Sequence, residues 1–168
     1  MAQSGFLSPV HLADDLAVTF FGLRALKVLS ILGYVMMVGG LLGLLAMRNL
    51  FFSSPLIIAL QLLAVLLLFW ARVTFGRRSF HLAGNPTEGG LVTSGPYRYI
   101  RHPIYASICL FVWAGIAGRW TWGAILCGVL VLAGAVARIV CEEKLVTKRY
   151  PEYSAYATRT WRMVPYVF

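Results

Sequence analysis

Four apolar runs, set apart by short polar connections, organise this chain. Residues 28–47 (VLSILGYVMMVGGLLGLLAM) carry no charge and have about the 20-residue length a helix needs to cross a hydrocarbon core. Residues 55–71 (PLIIALQLLAVLLLFWA) form a second run, with Pro55 suited to a first helical turn. A shorter third run covers residues 104–118, and a fourth covers 122–140. Only Arg119, Trp120 and Thr121 separate the last two, which predicts a tight antiparallel hairpin. Trp113, Trp120 and Trp122 cluster near that turn, as an interfacial aromatic belt would. Gly39 and Gly43 make a small-xxx-small pair that lets another helix approach.

The stretch ahead of the first run has a different pattern. Ser8-Pro9 suits a helix start, and Val10, Ala13, Leu16, Ala17, Phe20 and Leu23 follow at helical spacing. Asp14, Asp15 and Arg24 make it too polar to span, so residues 1–27 read as an amphipathic helix lying in the interface. The basic-then-apolar order of a signal peptide is absent there. The expected fold is therefore all-α and integral to the membrane, a single domain over residues 1–168. It has about four transmembrane helices, the interfacial helix and a helical C-terminal tail.

Composition agrees with that class. The chain is 60% hydrophobic, 12% charged and has a mean hydropathy of +0.76, far from soluble proteins. Its net charge of +9 is dispersed between apolar runs, which favours anionic lipid headgroups and not nucleic acid as the partner. Cys109, Cys127 and Cys141 lie far apart and form neither a CxxC nor a Cys/His ligand set, so packing is their expected use and no metal is indicated. Basic residues alternate between connections. Arg24 and Lys27 precede the first run, Arg48 alone follows it, and Arg72, Arg77, Arg78, Arg98 and Arg101 precede the third. Arg119 alone occupies the hairpin turn, and the tail is basic again. The positive-inside rule puts both termini and the second connection in the cytoplasm.

Chemistry-bearing residues collect on that side. The segment GPYRYIRHPIY, residues 95–105, crowds arginines, tyrosines and a histidine before the third run. At the end of the fourth run, Arg138 either snorkels or pairs with Glu142 one turn on. Glu142 and Glu143 diverge by roughly 100° on a helix. Tyr150, Tyr153, Tyr156 and Trp161 recur every few residues of the tail, an aromatic face if the tail is helical. Taken singly, the tyrosines read as interfacial anchors, the basic residues as headgroup contacts and the glutamates as a solvated face. A hairpin, however, brings its ends together, so Arg101, His102 and Tyr105 are expected beside Glu142 and Glu143. Cations, carboxylates and rings at a membrane rim suit a polar cofactor with a charged tail and a flat ring.

GPYRYIRHPIY, the hydrophobic hairpin, the Glu142-Glu143 pair and the tyrosine-rich tail ending in Val164-Pro165 together resemble the isoprenylcysteine carboxyl methyltransferases, which group with the phospholipid N-methyltransferases. The resemblance covers roughly residues 91–165. It implies a membrane enzyme that uses S-adenosylmethionine. Arg101 and Glu143 map onto catalytic positions. Tyr97, Arg98, His102, Pro103, Tyr105 and Glu142 map onto the cofactor site, with Tyr153, Tyr156 and Arg159 on its cytoplasmic cover. The implied acceptor is an amphiphilic or lipidated molecule taken from the bilayer, and no obligate protein partner is evident. Whether oxygen, nitrogen or sulfur is methylated stays open, as does a base role for His102. Membrane sterol reductases that use NADPH resemble the same segment, and a non-catalytic lipid-gripping module is the third reading. No GxGxxG follows a strand, so a soluble dinucleotide fold does not compete.

Overall fold

A computed structural model describes residues 9–51, 54–76 and 90–167, with side chains described from residue 22 onward. Among these described residues are five α-helices: α1 (Pro9–Ala46), α2 (Pro55–Phe75), α3 (Pro103–Gly118), α4 (Trp122–Arg149) and the short α5 (Tyr153–Ala157). A 3-10 turn occupies Gly95–Arg98. Three stretches are long and apolar enough to cross a membrane, Gly22–Ala46, Pro55–Phe75 and Trp122–Arg149, while α3 is a shorter apolar helix. The chain is thus an all-α integral membrane protein.

The expected interfacial helix is not a separate element. Helix α1 runs unbroken for 38 residues from Pro9 into the first span. No proline interrupts it after its first position, and only proline both removes a helical hydrogen bond and clashes with the preceding turn. At about 57 Å it is far longer than the hydrocarbon core is thick. Residues 1–8 lie outside the described part.

Packing follows the order α1–α4–α3–α2. Close approach of α1 and α4 rests on glycines: a Cβ on Gly33 would meet the Gly134 carbonyl oxygen at 2.8 Å, and one on Gly40 the Cys127 carbonyl oxygen at 2.7 Å. Of the expected pair, Gly43 does face α4, against the Cys127 thiol, but Gly39 meets nothing within 4 Å. The contact stripe is Gly33, Gly40 and Gly43. The sequence displays several glycines in this run and does not mark which face α4 will use.

At the hairpin end, Thr121 caps α4, its hydroxyl oxygen accepting from the Ala124 N–H at 3.2 Å. Asn49, fully buried after α1, donates its side-chain N–H to the Arg119 carbonyl at 3.0 Å, clasping the two turns of that end together. Trp120 and Trp122 are exposed there, as a belt requires. Trp113 is not part of it: its ring packs inward against Gly128 and the core. The core has two parts. One gathers Leu44, Leu50, Val112, Ile116, Ala124 and Val131 near the turns. The other gathers Met37, Cys109, Ala135, Ile139 and, from the tail, Met163. Outward leucines, isoleucines and valines of α1 and α2 remain exposed, the surface a bilayer would cover.

Candidate functional site

Because α3 and α4 leave a shared turn, the start of α3 is brought against the later part of α4. Pro103, fully buried, occupies the first turn of α3, where its missing N–H costs nothing. His102 and Arg101 precede it, and Tyr105 follows on the face toward α4. Glu142 and Glu143 then receive the two sets of donors separately, as their divergence around the helix demands.

Glu142 turns toward α1 and α3. Its Oε1 accepts from the Tyr105 hydroxyl at 2.5 Å and from Arg138 at 3.1 Å. Arg138 Nε–H in turn donates to the Tyr105 hydroxyl oxygen at 2.6 Å, closing a three-membered ring of contacts. Arg138 does not snorkel. It is 5% exposed, lies between the rings of Tyr34 and Tyr105, and donates to the Ser30 carbonyl of α1 at 3.3 Å. A buried guanidinium is tolerable only when paired and hydrogen-bonded, and here both conditions hold. Glu142 Oε2 is different: its neighbour His102 Nδ1 stands 3.8 Å away, too far for a hydrogen bond.

Glu143 turns toward the tail, and both of its oxygens are engaged. Arg101 Nε–H donates to Oε1 at 2.9 Å, with His102 Nε2 at 3.4 Å from the same atom. Arg162 Nε–H donates to Oε2 at 3.0 Å. Arg101 also donates to the carbonyls of Ala157, at 2.7 Å, and Thr160. The cations meant to contact a ligand are therefore first of all bonded to the protein's own tail.

The tail is bound by its backbone as well. Ile100 and Trp161 form a parallel bridge, in which Trp161 N–H donates to the Tyr99 carbonyl at 3.0 Å and Arg101 N–H to that of Trp161 at 2.7 Å. His102 N–H donates to the Arg162 carbonyl at 2.8 Å. The expected helical aromatic face is consequently interrupted. Only Tyr153 and Tyr156 lie on α5, their rings 5.8 Å apart, and Trp161 is extended in the bridge. Arg162 and Thr160 had no marking in the sequence. Met163, apolar in a basic tail, was the available clue that this segment returns to the core.

Tyr156 donates to the Tyr97 carbonyl at 2.6 Å, and Tyr97, buried, packs its ring on Phe75 of α2. Burial pushes the Tyr156 phenol up to about 12, against the lowering by the Arg101 charge and the Thr160 hydrogen bond. Burial also raises Tyr97, with Tyr156 adding to it, and raises Tyr153, with Glu143 adding to it. All three phenols are thus held protonated, and Tyr156 and Tyr153 are hydrogen-bonded in that form. Arg98 and Arg159, in contrast, are exposed and outside this network. Arg159 instead lines a cavity of about 420 Å³ along the tail, together with Arg101 and Arg162. Among the described residues, no three of His, Cys, Asp or Glu gather as a metal-binding group.

Comparison with known proteins assigns the chain to a family. The sequence pattern of the family described as Phospholipid methyltransferase matches residues 51–153, which takes in α2, α3, α4 and both glutamates. The chain is also 35% identical over 113 residues to the nickel-cobalt-cadmium resistance protein NccN of Alcaligenes xylosoxydans xylosoxydans, covering 64% of this chain and 52% of that protein. It is 34% identical over 117 residues to the cobalt-zinc-cadmium resistance protein CzcN of Cupriavidus metallidurans, covering 67% of this chain and 50% of that protein. The chain thus spans about half the length of these curated relatives.

Proposed function

On the premise that this chain belongs to the phospholipid methyltransferase family, we propose that it is a membrane methyltransferase taking its methyl group from S-adenosylmethionine. The acceptor is a lipid or lipidated amphiphile whose polar end reaches the rim of the bundle. The observation that carries this reading is the meeting of the α3 start, the two glutamates of α4 and the tail at one point within the family-matched region and its immediate continuation.

The donor set fits such a cofactor. When bound, the sulfonium supplies an electrophilic methyl group, and its transfer neutralises charge without asking for an oxyanion hole. The chain's part is to bind, orient and exclude water. Glu142 Oε2, the carboxylate oxygen left without a hydrogen bond, is suited to accept from a hydroxyl or ammonium group. His102 stands beside it. Tyr153 and Tyr156 supply ring surface over the site. Glu143, with both oxygens committed to Arg101, His102 and Arg162, is a positioning residue that holds the α3 start and the tail in register. Arg101 belongs to the same clasp and edges the site. The metal-resistance names of the two relatives point to a membrane under metal stress as the setting.

Calorimetric titration of detergent-purified protein with S-adenosylmethionine, S-adenosylhomocysteine and NADPH tests the reading. Saturable binding of the two sulfur compounds is expected. Binding of NADPH with none of S-adenosylhomocysteine would replace it with the reductase reading. A radiolabelled methyl-transfer assay should favour membrane extracts over small water-soluble acceptors; equal turnover of both would remove the lipid acceptor.

A further inference from the structure

The tail has two faces, and only the inner one serves the site described above. On the inner side Met163 is buried in the core and the backbone of residues 161–162 is bonded to that of residues 99–102. On the outer side Trp161, Val164, Tyr166 and Val167 are exposed, with the Trp161 and Tyr166 rings 5.4 Å apart. Beside them opens the cavity of about 420 Å³, lined by Arg101, Arg159 and Arg162, by Thr158, and at its edge by Trp161 and Val167. Among the described residues, no acidic side chain lines it. The Arg159 guanidinium bonds to no described residue.

Depth decides what this surface meets. Trp120 and Trp122 mark one boundary of the bilayer, at the hairpin turn. Glu142 lies 20 residues beyond Trp122 on one unbroken helix, about 30 Å, the thickness of the hydrocarbon core. The tail is pinned to Glu143 by Arg162, so its outer face lies at the opposite headgroup layer. Exposed aromatic and apolar side chains next to arginine side chains are the composition of a surface that sits among lipid headgroups.

We infer that this outer cavity is a binding site for the headgroup of an anionic phospholipid, and that its occupancy holds the tail closed over the site. An anionic headgroup spanning the three guanidinium groups meets Arg101, which belongs to the α3 start, and Arg159 and Arg162, which belong to the tail. The three converge only while the tail is bonded to residues 99–102. A ligand that binds one conformation alone shifts the equilibrium toward it. On the proposed methyltransferase reading, the cofactor lies beneath the same tail, so lipid and cofactor stabilise the same closed state and each tightens the other.

Two measurements in nanodiscs of phosphatidylcholine, alone or mixed with phosphatidylglycerol, test this. The wild-type protein should bind S-adenosylhomocysteine about fivefold or more tightly in the mixed discs. Its amides over residues 157–163 should exchange with solvent more slowly there. In Arg159→Gln the ratio between the two lipid compositions should fall to about one for both readouts, and Arg159→Lys should restore part of it. A wild-type ratio of one, or a ratio untouched by Arg159→Gln, overturns the inference. Inorganic phosphate reproducing the slower exchange in phosphatidylcholine discs overturns the lipid as its source. Should S-adenosylhomocysteine bind in neither disc, the cofactor reading fails, and the exchange ratio alone still decides the lipid site.

Discussion

Arg162 reaches back 19 residues along the chain to donate its Nε–H to Glu143 Oε2 at 3.0 Å. The other oxygen of that carboxylate is held by Arg101 at 2.9 Å, with the Glu143 side chain 14% exposed. One carboxylate therefore joins three separate pieces of chain: the end of α4, the entry to α3 and the tail. The consequence is an unequal dependence. Arg162 is 40% exposed, so water can replace its partner, whereas Arg101 is 10% exposed and cannot be served that way.

Glu143→Gln should therefore be far more damaging than Arg162→Gln. Removing a buried carboxylate that holds two cations is expected to cost about 3–5 kcal/mol, against about 1 kcal/mol for the partly exposed arginine. The double variant should show a coupling of about 0.5–3 kcal/mol between the two sites. Unfolding in detergent measures all three, with proteolysis of residues 158–167 reporting release of the tail. Equal, small effects of the two single variants would show that Glu143 is not the hub.

The legible part of this architecture was whatever local sequence controls. Charge-free runs, the three-residue turn between α3 and α4, and the i, i+4 spacing of Arg138 and Glu142 each dictate geometry within a short stretch. The meeting of Arg101, His102 and Tyr105 with Glu142 and Glu143 followed from the hairpin alone. Features set by distant partners were not legible. Trp161 carries no sign that it will pair with Ile100 across 61 positions of sequence (161 − 100), and helical spacing wrongly enrolled it on the aromatic face. Arg138 near a helix end offered snorkelling and pairing equally. Pairing won because Tyr34 and Ser30, on α1, close over it. The resemblance placed Arg98 and Arg159 among cofactor residues, and the structure leaves both exposed.

Tyr105→Phe is the sharpest probe of the other carboxylate. The variant keeps the ring and removes one hydroxyl, which donates to Glu142 and accepts from Arg138. Arg138 Nε–H is then left without its acceptor in a buried setting, at a cost of about 1–3 kcal/mol. Cofactor affinity should fall as well, because Glu142 loses one of the two groups that orient it. Calorimetry with S-adenosylhomocysteine reads this directly. Unchanged affinity alongside lowered stability would make the ring of contacts purely structural.

Orientation is open to a simple chemical test. Thr93 is exposed and lies in the basic connection between α2 and α3. A Thr93→Cys variant in a background without Cys109, Cys127 and Cys141 should react with an impermeant maleimide only from the cytoplasmic side, as the alternation of basic connections requires. Labelling solely from outside would invert the topology and with it the route by which a soluble cofactor arrives.

The α1–α4 seam supplies a contrast between two glycines of one helix. At Gly33 an added Cβ would stand 2.8 Å from the Gly134 carbonyl oxygen and 3.1 Å from Arg138 Cγ. Backbone on one side and the buried arginine's own stem on the other leave it no room, so Gly33→Ala must push α1 away. That displacement draws the Ser30 carbonyl and the Tyr34 ring off Arg138, and the effect should reach Glu142 and cofactor affinity as well as stability. A loss of about 1–3 kcal/mol is expected for such overpacking. Gly39, only six residues on, meets nothing within 4 Å, so Gly39→Ala adds a better helix former to an open face. It should be neutral or stabilising by up to about 1 kcal/mol. Thermal unfolding in detergent, together with S-adenosylhomocysteine titration, separates the two variants. A Gly39→Ala protein as impaired as Gly33→Ala would mean that the other face of α1 is the one that packs, and that Arg138 is not held by α1 in the way these contacts describe.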